Sequence, residues 1–440
     1  MAGLLLRGGR VIDPANGIDD LRDVRVDQGR IARVERGLRP QPDERVIECD
    51  GAVVAPGFVD MHVHLREPGR EDKETIASGS RAAAAGGFTS VACMPNTQPV
   101  NDDPSVTEYI KARADEQRRR HDRDPAQAFV KVHPIGAISK GLRGEQLAEI
   151  GGLVRQGCVA ISDDGHPVSS SFLMRKALEY ARMFDVPVIN HAQDLVLSNE
   201  GVMNEGFHAT VLGLKGLNGA AEDVMVYRDI RLAELCGGRL HVPHISTRQS
   251  LTMVREARAR GVAVTCEATP HHFCLTDEAV CGYDTNTKMN PPLRDESDRA
   301  AVLEALADGT IDAVASDHAP HTIEEKDVEY DQAPFGVVGL ETSVALGLDR
   351  LVGTKRIDLT RFVRLYSTNP ASILKLPPGT GTLSVGADAD ITVFSTSRPT
   401  TVDPSHFRSR SRNTPFGGWT LTGAVLATVV SGRVVHQLPL

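Results

Sequence analysis

No stretch of about 18 consecutive apolar residues occurs in this chain, and no basic region followed by a long apolar segment opens it. The expectation is a protein neither embedded in a membrane nor exported by a recognisable signal. C-x-x-C pairs are missing as well. The seven cysteines are an odd number, and Cys49, Cys93, Cys158 and Cys266 sit in apolar stretches, as reduced core thiols of a cytoplasmic protein do. A basic excess is also lacking: the formal net charge is −9, which leaves no electrostatic footprint for nucleic acid. The one locally basic run, Arg118-Arg119-Arg120-His121 with Arg123, is interleaved with Asp115, Glu116, Asp122 and Asp124 and reads as a solvated helix end. What is present is the balance of a folded globular chain, 41% apolar and 24% charged, over 440 residues. That length exceeds one ordinary core and suits a large α/β barrel with a smaller companion domain.

The pattern along the chain changes twice. Up to residue 57 it reads as short strands joined by tight turns: Leu4 to Ile12, then Val24-Arg25-Val26, then Ile31 to Val34 across Asp27-Gln28-Gly29. Residues 376–440 behave alike, with Ala389 to Phe394 strand-like and Ala427 to Val435 a strand bent at Ser431-Gly432. The two ends, 1–57 and 376–440, are expected to complete one small β-sandwich domain, since chain termini commonly lie close together. Between them, over 58–375, eight apolar β-type runs alternate with helical patterns. The runs are Phe58–His64, Phe88–Met94, Phe129–Ala137, Val159–Asp163, Val186–His191, Leu240–Ile245, Val262–Glu267 and Ile311–Asp317. Eight such runs close a (β/α)8 TIM barrel. A doubly wound open sheet would want a glycine-rich fingerprint after the first strand, and here that strand ends in histidines.

In such a barrel the chemistry sits at the C-terminal ends of the strands. The first run ends Asp60-Met61-His62-Val63-His64, and two histidines two apart on a strand share a face. The fourth ends Ser162-Asp163-Asp164, the fifth Asn190-His191, the sixth holds His244, and the eighth ends Ser316-Asp317-His318. Each piece alone is weak: a lone H-x-H is more often incidental, His191 or His244 alone more often a packed polar residue, and Asp317 alone a helix N-cap. Four histidines and two carboxylates meeting at one rim from five strands are a nitrogen and oxygen ligand set suited to Zn2+ or a similar divalent ion. A metal pair of this kind lowers the pKa of water to about 7 and makes hydroxide available as nucleophile. Asp317 is the candidate general acid/base, taking the proton during attack on an amide carbonyl and delivering it to the leaving nitrogen. The choice between Asp163 and Asp164 stays open on these grounds. His241, three from His244, is expected to face the opposite way into the surrounding helices, and His318 to face away from the site. His133, His166, His208, His271 and His272 are unassigned, whereas His321 lies in the loop beyond the eighth strand, where a substrate would rest.

At His62-Val63-His64-Leu65-Arg66-Glu67-Pro68-Gly69 the sequence resembles the bacterial type I dihydroorotases of the amidohydrolase superfamily. The likeness continues through Met94-Pro95-Asn96-Thr97, Ser162-Asp163-Asp164-Gly165, Lys288-Met289-Asn290-Pro291-Pro292-Leu293-Arg294, Asp317-His318-Ala319-Pro320-His321 and Asn413-Thr414-Pro415-Phe416. The resemblance implies interconversion of N-carbamoyl-L-aspartate and L-dihydroorotate in pyrimidine synthesis, with one or two zinc ions per subunit. It implies one zinc on His62, His64 and Asp317 and a second on His191 and His244, with Asp164 rather than Asp163 bridging. Many relatives bridge with a carboxylated lysine at this position. Aspartate is shorter, so one-metal and two-metal forms are both expected. A substrate clamp of Arg66, Asn96 and His321 is implied, because a guanidinium pairs bidentately with a carboxylate. His64, Asn290 and the backbone at Phe335-Gly336 are the remaining implied substrate contacts.

Two rivals stand beside this expectation. One is another cyclic-amide hydrolase, an allantoinase or a dihydropyrimidinase, which would typically carry lysine at the bridge and lack the Arg66/Asn96 clamp. The other is a catalytically silent scaffold for aspartate transcarbamoylase, a partner with which some type I members associate; a homo-oligomer is equally compatible. Gly165 to Phe172 and Thr322 to Gly336 are the candidate lid loops.

Overall fold

The computed structural model describes residues 3–438. All eight anticipated runs form strands, alternating with helices in chain order: Phe58–Val63, Phe88–Cys93, Lys131–Pro134, Ile161–Ser162, Val188–Ile189, Leu240–Val242, Val264–Ala268 and Ala313–Val314. Neighbours pair in parallel. Single parallel bridges, Gly136 to Ile161 and Val63 to His318, join the third strand to the fourth and the eighth to the first, so the ring closes. Every residue of the first two strands is buried, as expected of parallel strands covered on both faces. Val59, Met61, Ala92, Ile135, Ile189 and Ala315 fill the barrel interior, while Phe58, Phe88, Val188, Val242 and Val264 pack outward against the helices.

The helices begin where polar side chains cap them. Thr75, Ser170, Thr247 and Asp295 accept from the backbone N–H three residues on, opening Ile76–Ala85, Ser171–Arg182, Arg248–Ala259 and Glu296–Asp308. The basic run lies at the exposed end of helix Pro104–Arg123. Among the described residues no helix is long and apolar enough to cross a membrane, and all seven cysteines are free.

Strands from both chain ends share one eight-stranded sheet. The two halves join where Ile391–Phe394 pairs antiparallel with Val53–Pro56. Strand Leu4–Asp13 pairs with Arg45–Glu48 along its first part and with Val53 and Val54 further on, and the sheet encloses a core that includes Leu6, Val24, Ile47, Ile391 and Val393. Residues 1–2 and 439–440 of the expected end segments lie outside the described residues. One element differs from expectation. Ala427 to Val435 is not a bent strand: Ser431 (φ 47°) and Gly432 (φ 77°) form a two-residue turn, and Thr420–Val430 folds back antiparallel on Arg433–Gln437. Two successive left-handed residues reverse a chain rather than bend it.

Phe58 ties the two parts together. Its ring packs on Phe362, Tyr366 and Phe394 with centroids 5.9, 5.5 and 5.7 Å away, linking the first barrel strand, the last helical segment and the β-sheet. Phe58→Ala is expected to cost ~3–5 kcal/mol of unfolding free energy, read from the shift of a urea unfolding midpoint. A loss under ~1 kcal/mol would show that this aromatic junction is not a stability determinant.

Candidate metal centre

The first strand aims its two histidines through an irregularity. Its pairing with the second strand advances from Asp60↔Val91 to Val63↔Cys93, so one extra residue is inserted before the strand ends. A bulge of this kind resets which face the side chains occupy. Val59 and Met61 face the interior below it, and His62 and His64 face the mouth above it. Two other site residues also leave regular geometry: His244 (φ 33°) lies beyond the sixth strand and Asp317 (φ 47°) beyond the eighth, both left-handed. Non-glycine residues in this region are uncommon and cluster at functional sites.

All six expected ligand residues come together. Asp164 Oδ1 lies 3.4 Å from His62 Nε2, 3.7 Å from His191 Nδ1 and 3.7 Å from His244 Nε2, and its Oδ2 lies 3.5 Å from His64 Nε2. Asp317 Oδ1 is 3.2 Å from His64 Nε2 and 3.5 Å from His62 Nε2. His191 Nδ1 and His244 Nε2 face each other at 3.0 Å. Asp163 is turned away and accepts from the Ile138 and Ser139 amides at 2.8 and 3.0 Å. Of the two aspartates left open, Asp164 and not Asp163 lies against the histidines.

These residues fit a divalent metal. His62 Nε2 and Asp164 Oδ1 are buried with no hydrogen-bond partner, a costly arrangement unless something else satisfies them. The ligand atoms of His62, Asp164 and His244, and those of His62, His64 and Asp317, each fall within 4.8 Å of one another. Contacts on the far side of the rings make the inward nitrogens acceptors. His62 Nδ1 is 2.9 Å from Glu267 Oε1, His64 Nδ1 is 2.9 Å from Asn96 Oδ1, and His191 Nε2 is 3.0 Å from Gln193 Oε1. A carboxylate or amide oxygen can only accept, so in each ring the far nitrogen carries a hydrogen, and in the neutral ring the inward one carries the lone pair. Glu267 and Gln193 were missed from the sequence. Glu267 closes the seventh predicted strand, which was a usable signal; nothing marks Gln193.

Burial opposes charge on both carboxylates, yet the surrounding histidines, His62 foremost, hold Asp164 and Asp317 well below the usual carboxylate range. The same burial works against a charged His62, and Asp164 and Asp317 outweigh it and raise the ring.

A cavity of about 360 Å³ opens over these ligands. Its other wall carries Arg66, Asn96, Asn290, His321, Phe335 and Gly336, which with His64 are the residues expected to touch substrate. Arg66 (φ 60°) is anchored by Nε on the Pro320 carbonyl at 3.2 Å, and burial pushes its guanidinium down to about 10, still charged at neutral pH. Asn290 donates to Gln193 Oε1 at 2.7 Å, beside His191. His321 is held at both nitrogens: Lys73 Nζ lies 3.1 Å from Nδ1, and Nε2 donates to the Phe335 carbonyl at 2.8 Å. Burial, reinforced by Arg66, Lys73 and Lys326, pushes this ring down to about 2.

The loop from Thr322 to Gly336 is tied in place. Glu325 bonds Arg70 at 2.9 Å and Lys73 at 2.8 Å, and the Lys326 ammonium donates to the Thr285, Lys288 and Pro334 carbonyls at 3.0, 3.3 and 2.7 Å. Gly336 (φ 135°) donates its N–H to the Lys288 carbonyl at 2.9 Å, and a Cβ there would lie 2.8 Å from that of Ala319. Only glycine fits this position. Asn413, from the C-terminal segment, donates to the Ala319 and Gly336 carbonyls at 3.1 and 3.0 Å.

Of the remaining histidines, His318 faces away as expected and bonds Glu74 at 3.2 Å. His241 corrects the expectation. It points into the barrel, with Nε2 3.2 Å from Glu267 Oε2 and Nδ1 2.8 Å from Thr265 Oγ1, not into the helices. The parity argument assumed an unbroken pleat from 241 to 244, and the left-handed turn at His244 breaks it.

Comparison with known proteins agrees with this geometry. A family model described as dihydro-orotase-like matches residues 51–250, and one described as an amidohydrolase family matches residues 286–436. The chain is 53% identical to a dihydroorotase of Geobacter metallireducens over 434 residues, covering 99% of each chain. It is 54% identical to a dihydroorotase of Pelotomaculum thermopropionicum, covering 99% of this chain and 98% of that one. Among solved structures, the L-hydantoinase (dihydropyrimidinase) from Arthrobacter aurescens superposes with a TM-score of 0.87 at 26% identity, over 99% of this chain and 96% of that chain. A dihydropyrimidinase from Brevibacillus agri, at 23% identity and TM-score 0.82 over 99% and 95%, shares the fold.

Ligand atoms crowded this closely should make folding depend on the ion. Stripping divalent metal with a chelator is expected to lower the thermal unfolding midpoint, and metal at a 100-fold excess over its Kd should restore ~2.7 kcal/mol. A midpoint indifferent to chelator and metal would contradict the assignment.

Proposed function

The chain belongs to the dihydroorotase family of amidohydrolases, and from that premise we propose how its own residues interconvert L-dihydroorotate and N-carbamoyl-L-aspartate in pyrimidine biosynthesis. The carrying observation is the juxtaposition of two walls: a buried nitrogen and oxygen cluster on one side of the cavity, and a half-buried cation, Arg66, beside Asn96 on the other. The first suits amide hydrolysis and the second an anionic substrate. Zinc is the metal best matched to the imidazole and carboxylate donors. His62, His64 and Asp317 would hold one ion and His191 and His244 a second, with Asp164 shared. Bound there, zinc supplies Lewis acidity that acidifies water and polarises the ring carbonyl.

The protein's own groups do the rest. Arg66 and the Asn96 amide nitrogen bind the substrate carboxylate and fix the ring over the ligands; the Asn96 oxygen is already engaged by His64. His321, neutral and pinned, shapes the same end of the cavity. Asn290 and the Phe335-Gly336 backbone border the ring amide. In the hydrolytic direction water attacks the ring carbonyl, and the carbon–nitrogen bond breaks. Asp317 takes the water's proton and returns it to the leaving nitrogen. In cyclisation the reacting carboxyl enters protonated; Asp317 takes a proton from the attacking ureido nitrogen and passes it to the departing hydroxyl, releasing water, so that ring closure consumes one proton from solvent. The cytoplasm is the expected compartment, given five buried free thiols.

Asp317→Asn is expected to lower kcat by roughly 10²–10⁴-fold with an unchanged circular-dichroism spectrum. Near-normal turnover would remove Asp317 from the proton path. Arg66→Ala is expected to reduce kcat/KM for dihydroorotate by ~10- to 100-fold, the worth of a lost charge-assisted pair. Cyclic amides without a carboxylate should be affected far less. The wild-type enzyme should turn over dihydroorotate faster than allantoin or dihydrouracil, and the reverse order would overturn the substrate assignment.

A further inference from the structure

Behind His62 lies a buried polar chain that the reaction above does not use. Glu267 (1% exposed) is on the seventh strand and His241 (0% exposed) on the sixth; His62 (0% exposed) is on the first. The first strand neighbours only the second and eighth, so no backbone pairing relates it to the seventh. The Glu267 side chain makes that link across the barrel interior, with Oε1 2.9 Å from His62 Nδ1 and Oε2 3.2 Å from His241 Nε2.

The direction of each bond follows from the chemistry of the groups. A carboxylate accepts only, so both histidines donate to it, His62 through Nδ1 and His241 through Nε2. The other nitrogen of His241 then accepts from the Thr265 hydroxyl at 2.8 Å, and the other nitrogen of His62 points to the mouth, where it would offer its lone pair to a metal. His241 and Thr265 leave Glu267 one free oxygen, already aimed at His62. An apolar trio would fill this space without the cost of burying a charge.

We infer that Glu267, braced by His241, is a positioning residue that fixes the ring orientation and tautomer of His62 and so sets how tightly the centre holds its metal. This rests on the reading of His62 as a ligand. Acceptors behind ligating histidines commonly contribute in this way.

The test is a double-mutant cycle on the full-length, metal-stripped chain, with Zn2+ affinity measured by competition against a chromogenic chelator. Glu267→Met, which removes the acceptor at similar length, should weaken Zn2+ binding roughly 10- to 100-fold. His62→Ala should weaken it at least as much. In the double variant Glu267→Met should add little, because its effect passes through His62. Glu267→Gln, whose single amide oxygen can serve only one of the two rings, should show a smaller loss of the same sign and keeps the test open if the methionine variant misfolds. An unchanged affinity in both Glu267 variants, with His62→Ala impaired, would overturn the inference. So would losses that add fully in the double variant, since Glu267 would then act on fold stability alone. An unchanged affinity in His62→Ala would instead remove the ligand reading itself.

Discussion

The Asp164 carboxylate is the point on which the site converges: four imidazoles approach its two oxygens within 3.4 to 3.7 Å, buried at the mouth of a closed barrel. Gathering two carboxylates and four histidines in such a place is unfavourable unless every lone pair and every N–H is directed. Much of the surrounding structure can be understood as that direction. The bulge in the first strand turns His62 and His64 to the mouth, and left-handed backbone at His244 and Asp317 brings in two more ligands. Asn96, Gln193 and Glu267 stand behind three of the rings and decide which nitrogen faces inward.

The opposite wall is built differently. Its residues come from loops, and loops need ties to hold a cavity shape. Glu325 joins the Thr322–Gly336 loop to Arg70 and Lys73, Lys326 gathers three carbonyls, and Asn413 reaches in from the C-terminal segment. The barrel strands therefore carry the buried cluster of imidazoles and carboxylates, while loops carry the facing wall of the cavity. Hydantoinases and dihydropyrimidinases share the fold at 21–26% identity, and the dihydroorotases match over the same length of chain at 51–54%.

Much of the architecture was legible in the residues because it rests on short-range regularities. Eight apolar runs between helical patterns can hardly do other than form a parallel barrel, and Thr75, Thr247 and Asp295 mark their helix starts by side-chain capping. The clustering of His62, His64, Asp164, His191, His244 and Asp317 was legible because barrel chemistry lies at strand ends, so each strand could be searched at one place only. Where local regularity broke, the reading failed. His241 was assigned to the wrong face because a strand was assumed to run on to His244, and the Ser431-Gly432 reversal was taken for a bend.

The sequence by itself determined the strand count and which histidines and aspartates stand at the strand ends, since these depend on residue type and spacing along one segment. Tertiary structure alone decided between Asp163 and Asp164, joined Glu267 to His62, and brought Asn413 to the rim of the cavity. Those outcomes depend on where distant strands and loops meet once the barrel closes, and the direction of a single carboxylate is set by neighbours that no local pattern encodes.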